Sequence, residues 1–481
     1  MTTLKTTAVA FRRGEATLPI AGCAGAVVLV LATSGIPGRA AMLLALALTG
    51  MGVVVLAWLA MWRQHTEMSV KRLYCTAAAW ALPLVVARPL FSGDVYSYLA
   101  YGLTAAKGIN PYQFGPAAAL GAGSPVTQAV SPYWQNTPSP YGPVSVAIFR
   151  AIAFVAGQNV PATVLLNRFA DLVGIVLIGW ALPRLARRVG VRPATAVWLG
   201  LLNPLLLWHL VAGAHNDGLM LGLVLAGTEL GLSGLARPGR LLLGVVLLMI
   251  AADIKIVALA GLCCLGAALA RRWGGTLGRG VLVALALCGG FAVISLIIAV
   301  VTGLGLGWVF SVDGATRVHS WLAPTNELGF LLGGLGALAG TGSTDAAITA
   351  CVRIGGVVGA AFVIGLVWSV LRGRRDPVLG LGLVFAVMLV SGPIVQPWYL
   401  LWAILPLAAS ARTDGARRII AAISAAVAML IPPSTVAVPA LLEGYLGAVG
   451  LLTLIVAAYR ARIAYPVGCD LSEMSEHDVD R

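Results

Sequence analysis

Charge is scarce in this chain: of 481 residues only 10% are Asp, Glu, Lys or Arg, against 59% hydrophobic. Soluble domains carry about a quarter charged residues, so this balance excludes one. A disulfide framework is lacking too. The seven cysteines (23, 75, 263, 264, 288, 351, 469) lie mostly inside apolar runs, and the adjacent pair at 263 and 264 reads as core packing. Common nucleotide-binding, zinc-protease and serine-hydrolase signatures are also missing: there is no GxxxxGK[ST], no GxGxxG between a strand and a helix, no HExxH and no GxSxG. The "GLGLG" at 303–307 has no βαβ unit around it, and no DxD-type pair offers to hold a metal with a nucleotide sugar. No repeat of 20–50 residues is evident.

What the chain has in abundance is long apolar runs, which make it an all-α polytopic membrane protein. Spans are expected near 17–35, 39–61, 75–90, 161–182, 194–209, 217–234, 240–254, 257–270, 280–302, 347–371, 377–391, 398–411, 417–432 and 436–461, about 13–14 in all. The basic start "MTTLKTTAVAFRRG" mimics a signal peptide, but with so many spans behind it a retained first helix is expected. The formal charge of +14 does not indicate nucleic acid, because the basic residues fall in short clusters between spans.

Those clusters define a topology. With the amino terminus inside, "WRQHTEMSVKR", "PRLARRVGVR", "ARPGR", "ARRWGGTLGR", "LRGRRDP" and "ARTDGARR" all become cytoplasmic, leaving about 24 of the 32 basic residues inside and about 8 outside. The apolar stretch at 141–157 must then lie along the outer interface, since a crossing there would put Arg184, Arg187, Arg188 and Arg192 outside. Residues 91–160 become one long external loop broken by prolines, and 303–346 a second external segment. The chain divides into an N-terminal transmembrane hairpin (1–74), a membrane core (75–411), C-terminal transmembrane helices (412–463) and an acidic, disordered cytoplasmic tail (464–481).

Few carboxylates reach the outer side, and an ionisable group at membrane depth costs about 2.5–3.5 kcal/mol on insertion scales, so each needs a cavity or a partner. Asp94, in "FSGDVYSY", opens the long loop, where a carboxylate suits a general base acting on an acceptor hydroxyl; the alternative is a helix cap. "NPLLLWHLVAGAHNDGLM" sets Asn203, His209, His215, Asn216 and Asp217 around one turn, a polar lip for sugar hydroxyls or phosphate, with Asp217 as reserve base. The alternative has Asn216 or Asp217 capping the next helix and His209 packed in the core. "AADIKI" puts Asp253 and Lys255 in an apolar stretch; Lys255 is a candidate for an anionic head group, although Asp253, two residues away, is a competing partner only across a turn. Arg317, His319, Arg353, Gln396, Trp398 and Tyr399 complete the outer inventory, the last two also suiting an interfacial aromatic belt.

Together, "FSGDVYSYLAYG", "NPYQFGP", "SPYGPV", "NPLLLWHLVAGAHNDGLMLGL" and "VQPWYLLWAILPL" resemble, from about residue 75 to 411, the actinobacterial polyprenyl-phosphomannose-dependent α-1,6-mannosyltransferases of the GT-C superfamily, the MptA/MptB group. The resemblance implies an inverting enzyme that takes mannose from a lipid-linked donor on the outer face of the plasma membrane. It would extend the mannan backbone of lipomannan and lipoarabinomannan. It makes 75–411 the catalytic core, Asp94 the base, and His215, Asn216 and Asp217 site residues. Lys255, Arg317 and Arg353 are then candidates for the donor phosphate. Tyr96, Tyr98, Tyr101, Trp134 and Tyr141 are candidates to stack on acceptor sugars, with His319, Gln396 and Trp398 as further binding residues. The expected partners are the polyprenyl-phosphate sugar, a lipid-anchored mannan acceptor and membrane lipids; no cofactor and no metal are expected. The competing readings are a relative using another lipid-linked sugar, such as arabinose, and a lipid or sugar transporter, which would gather its polar groups at the bilayer midplane instead.

Overall fold

The computed structural model describes residues 2–315, 320–340 and 343–464, so the expected tail at 464–481 lies almost entirely outside the described residues. Among them there is no strand. In chain order the helices are α1 (Thr2–Thr33), α2 (Ala40–Ala60), α3 (Val70–Val85), α4 (Asp94–Ala106), α5 (Pro116–Leu120), α6 (Pro125–Ala129), α7 (Pro132–Gln135), α8 (Pro143–Ala156), α9 (Val160–Arg188) and α10 (Pro193–Ala196). After α10 the chain continues in wide π-type turns, Val197–Leu201 and Leu206–Ala212. Then follow α11 (Asp217–Gly234), α12 (Pro238–Ile254), α13 (Leu259–Arg272), α14 (Leu277–Thr302), α15 (Trp308–Ala315), α16 (Pro324–Leu338), α17 (Thr344–Leu371), α18 (Pro377–Ser391), α19 (Leu400–Ser410), α20 (Asp414–Leu430) and α21 (Val438–Ala464).

Local chemistry marks where many of these begin. The side chains of Ser69, Asn159, Thr276, Ser343, Asp376 and Thr413 each accept a first-turn amide, and proline stands in the first turn of α8, α9, α12, α16 and α18. Both devices satisfy or remove amides that have no partner inside the helix. Outward faces are apolar: Val300 is 73% exposed and Leu454 68%, as suits side chains that meet lipid rather than water.

Each of the fourteen expected spans falls on a helix, but not each is a full-length span. Among the described residues five helical stretches are long and apolar enough to cross a membrane alone: Ala40–Arg63, Val160–Arg188, Leu277–Thr302, Thr344–Leu371 and Val438–Arg460. The pair Pro193–Leu201 and Leu206–Ala212, bent by 61°, makes a sixth if counted as one span. Several of the others are short. At about 1.5 Å per residue, α18 and α19 reach roughly 22 and 17 Å, less than the ~30 Å of a hydrocarbon core. The bend has an evident cause in Asn203-Pro204. Asn203 donates to Leu199 O and Ser424 Oγ and accepts from the Leu205 amide, re-pairing backbone that the break set free.

The stretch 141–157 is α8, whose 14 residues reach about 21 Å, less than the ~30 Å of a hydrocarbon core. It seats on helix ends instead. Ser145 Oγ donates to Ile254 O at the end of α12 (3.2 Å), and Arg150 Nη1 donates to Thr302 O at the end of α14 (2.7 Å). α4 packs on α8 so closely that a Cβ at Gly102 would meet Phe149 O at 2.3 Å. The segment 303–346 differs from an open external loop. Its described part contains α15 and α16, and α16 forms a hairpin with α17 through Gly329 and Gly333, which lie against Ile348 and Thr344.

Arginines gather at the end of the bundle away from α4 and α8. α9 starts beside α8 and runs 29 residues, about 43 Å, to Arg188, which pairs with Glu229 at 3.1 Å. Arg412 donates to Val189 O, and Arg372 to Gly275 O, at that same end.

Candidate functional site

Four elements bring polar groups together where α4 meets the bundle: the start of α4, the turn before α11, the break between α12 and α13, and the segment 396–402 leading into α19. Asp94 is the first residue of α4, and its amide is held by Ser92 Oγ. Its side chain keeps 24% exposure, and Oδ2 stands 3.4 Å from His215 Nδ1. That distance is an electrostatic contact rather than a well-formed hydrogen bond. Burial pushes the Asp94 carboxyl up, but the His215 ring and the Lys255 ammonium together outweigh it and hold it below the usual carboxylate range.

His215 is fully buried and lies flat on Trp398, ring centroids 3.7 Å apart. His209 sits 6.0 Å from His215 and 5.6 Å from Trp398, and Phe91 closes the stack 5.3 Å from His209. An aromatic wall thus fixes the face that His215 turns to Asp94.

Asp217 is bound quite differently. It is fully buried, with Oδ2 2.8 Å from Lys255 Nζ and Oδ1 accepting from Trp402 Nε1 at 2.7 Å. Lys255 stands over the Tyr399 ring at 4.5 Å and the Trp402 ring at 5.5 Å, a cage with a carboxylate at one side and π faces at the other. The extended backbone of Lys255, φ −152° and ψ 120°, ends α12 and swings the ammonium to Asp217. Asp253, the competing partner considered from the sequence, faces away and accepts from Ser295 Oγ through both oxygens, at 2.8 and 3.0 Å.

Asn216 joins the site to α4 and α8: it accepts from Tyr98 Oη (3.3 Å), its amide nitrogen donates to Ser145 Oγ (3.1 Å), and its backbone amide donates to Tyr98 Oη. This turns two expected sugar-stacking residues into scaffold. Tyr98 is buried against Phe149, and Tyr101 is buried with its hydroxyl on Thr137 O, so neither face is open to an acceptor. Tyr141 is half-buried, edge-on to Tyr98 and Phe149; Tyr96 and Trp134 are half-buried together beside Leu99, Ala100 and Val130. Gln396 is half-buried one residue before the Pro397–Tyr399 turn that carries Trp398. Arg353 is exposed on α17, two residues before Gly355, which lies against Thr325 and Ser391 at the same end of the bundle. Arg317 and His319 lie outside the described residues. Asn203 belongs to the helix break rather than the site.

The sequence reading passed over Trp402, Arg168 and Asp171, and gave Tyr399 no site role. Arg168 and Asp171, 3% and 2% exposed, lie three residues apart in α9, a spacing that puts both on one helix face. That pair inside an apolar span was the available signal. Among the described residues no three of His, Cys, Asp and Glu gather as a metal site, and the six described cysteines are free.

A polar site walled by aromatics thus lies where α4 meets a polytopic helical bundle, and comparison with known proteins gives the kind of protein that carries it. The chain belongs to the family whose model is described as "Alpha-(1->6)-mannopyranosyltransferase, N-terminal domain", matched over residues 13–271, and residues 325–468 match the MptB C-terminal domain. It is a glycosyltransferase. It is 40% identical over 411 residues to a probable alpha-(1->6)-mannopyranosyltransferase of Mycolicibacterium smegmatis, covering 80% of this chain and 74% of that one. To alpha-(1->6)-mannopyranosyltransferase B of Corynebacterium glutamicum it is 36% identical, over 82% of this chain and 69% of the relative. To alpha-(1->6)-mannopyranosyltransferase A of Mycobacterium tuberculosis it is 34% identical, over 78% and 72%. No solved structure matches.

Proposed function

We propose that the chain is a GT-C-type mannosyltransferase of the outer face of the plasma membrane, taking mannose from polyprenyl-phosphomannose and adding it to a lipid-anchored α-1,6-mannan. The relatives' names support the sugar and the linkage. Segregation of arginines to the far end of the bundle supports the outer face. The observation that carries the mechanism is the contrast between two carboxylates: Asp217 is fully buried with both oxygens held by Lys255 and Trp402, while Asp94 keeps 24% exposure and meets His215 only at 3.4 Å.

Asp94 is therefore the base. An acceptor hydroxyl oxygen attacks the anomeric carbon, the carbon–oxygen bond to the polyprenyl phosphate breaks on the opposite face, and the hydroxyl proton passes to Asp94. Inversion of a β-linked donor leaves an α-linked product. A carboxylate held below its usual range is a modest base, suited to taking a proton late, when the attacking oxygen has already become acidic. The Lys255 ammonium acts on this carboxylate and supplies positive charge for the donor phosphate, with Arg353 and Arg317 as outer contacts. Tyr96, Trp134, Tyr141 and Gln396 remain the acceptor candidates that keep accessible surface.

The test is transfer of radiolabelled mannose from polyprenyl-phosphomannose to a short α-1,6-mannoside, in membranes with wild type, Asp94→Asn or Asp217→Asn at matched expression. Asp94→Asn is expected to lose at least about 10²-fold in kcat while donor binding holds. Full activity of Asp94→Asn would remove it as base. Transfer from another lipid-linked sugar, with none from the mannose donor, would replace mannose and leave the fold reading standing.

A further inference from the structure

Behind the two loops that carry Asp94 and His215 lies one side chain, Arg168 of α9, only 3% exposed. A guanidinium has five N–H donors, and here all five meet backbone carbonyls. Nε donates to Val211 O at 3.1 Å; Nη1 donates to Val85 O at 2.8 Å and to Ala87 O; Nη2 donates to Arg88 O at 3.1 Å and to Ala212 O at 2.7 Å. Val85 ends α3 and Ala212 ends the π-type turn, so these are carbonyls that a helix end leaves without a partner. A cation is favoured there, and one planar group serves both ends.

From these capped ends the chain runs six residues from Arg88 to Asp94 and three from Ala212 to His215. Each run passes through a non-glycine residue in the left-handed region, Phe91 at φ 68° and Ala214 at φ 52°. Such backbone is unfavourable for residues with a Cβ and persists where the surroundings over-determine it. The clamp sits at the base of both runs.

We propose that Arg168 is a positioning residue: by locking the ends of α3 and of Leu206–Ala212 to one guanidinium, it sets the spacing between the Asp94 carboxylate and the His215 ring. Its catalytic consequence rests on the reading of Asp94 as base; the clamp itself does not. Neither loop needs to touch Arg168 beyond its root for this to hold, because a small shift at the root is carried out to the reacting group.

The experiment uses the full chain in detergent micelles. Arg168→Lys keeps the charge but offers at most three donors, and Arg168→Gln, with two donors and no charge, is the second variant should the lysine fail to fold. Hydrogen exchange is measured over residues 85–94 and 209–217, alongside kcat and KM for mannosyl transfer. Exchange in both segments is expected to rise at least about tenfold while α2 and α14 exchange as in the wild type. The expected kcat falls about 10²-fold, with donor KM held within about twofold, as for a misplaced rather than missing group. Ala214→Gly added to Arg168→Lys is expected to recover several-fold in kcat, since glycine accepts the left-handed backbone without help. Unchanged exchange in the two segments overturns the proposal, as does unchanged kcat. Exchange raised throughout the bundle, with kcat falling only in proportion to folded protein, also overturns it. Should Asp94→Asn prove active, the base assignment falls and the exchange pattern still decides the clamp.

Discussion

At the scale of single residues, the site divides its labour by how each charge is satisfied. Lys255 and Asp217 form a buried pair, and removing one partner of such a pair costs about 3–5 kcal/mol because the other charge stays behind. Lys255→Met is therefore expected to lower the melting temperature in detergent by several degrees, and adding Asp217→Asn to recover much of that loss. A Lys255→Met protein that melts with the wild type would mean that the pair makes no net contribution. The sequence could nominate these residues, because a lone Lys or Asp in an apolar run is conspicuous. It could not pair them: Asp253 is nearer along the chain, yet Lys255 takes Asp217, 38 residues away. Tyr98 and Tyr101 show the reverse limit. Their types suit sugar stacking, but only packing tells which aromatic has a free face.

At the scale of elements, the start of α11 is set by contact with α9. A Cβ at Gly174 would meet Gly218 O at 2.1 Å, and one at Gly222 would meet Gly174 O at 2.4 Å, so three glycines let two backbones touch. Asp217 and Gly218 open α11, directly over this contact. Gly174→Ala is expected to push α11 outward, costing about 1–3 kcal/mol as overpacking does and lowering transfer through the displaced Asp217. Thermal unfolding and the mannose-transfer assay read the two effects, and an alanine variant that matches the wild type in both would mean that the helices can part without consequence. Most element boundaries were readable beforehand, since caps, prolines and apolar runs are local. The bend after α10 was not, because a hydropathy window sees residues 194–209 as one apolar run while Asn203 and Pro204 divide it.

At the scale of the whole molecule, one end carries the site and the other the arginines. An impermeant thiol reagent tests the orientation in a cysteine-free background: Gly123→Cys, in the long loop, is expected to label on intact cells, and Gly190→Cys, past the end of α9, only after permeabilisation. Labelling of Gly190→Cys on intact cells, with Gly123→Cys reached only after permeabilisation, would reverse the threading. α8 also belongs to this scale. Charge placement predicts 141–157 at the outer interface, and in the structure this stretch is seated on the ends of α12 and α14.

The sequence by itself determined that this chain is a helical membrane protein and which family it resembles. It also marked which polar residues are chemically conspicuous, because apolar length, basic clusters and short motifs are properties of neighbours along the chain. Only the tertiary structure decided that Asp217 is locked to Lys255 and Trp402, that Asp94 is left partly open beside His215, and that Arg168 ties together the roots of both loops. Those contacts join residues tens to hundreds of positions apart, and burial, which sets how much each charge is worth, exists only once the helices have packed.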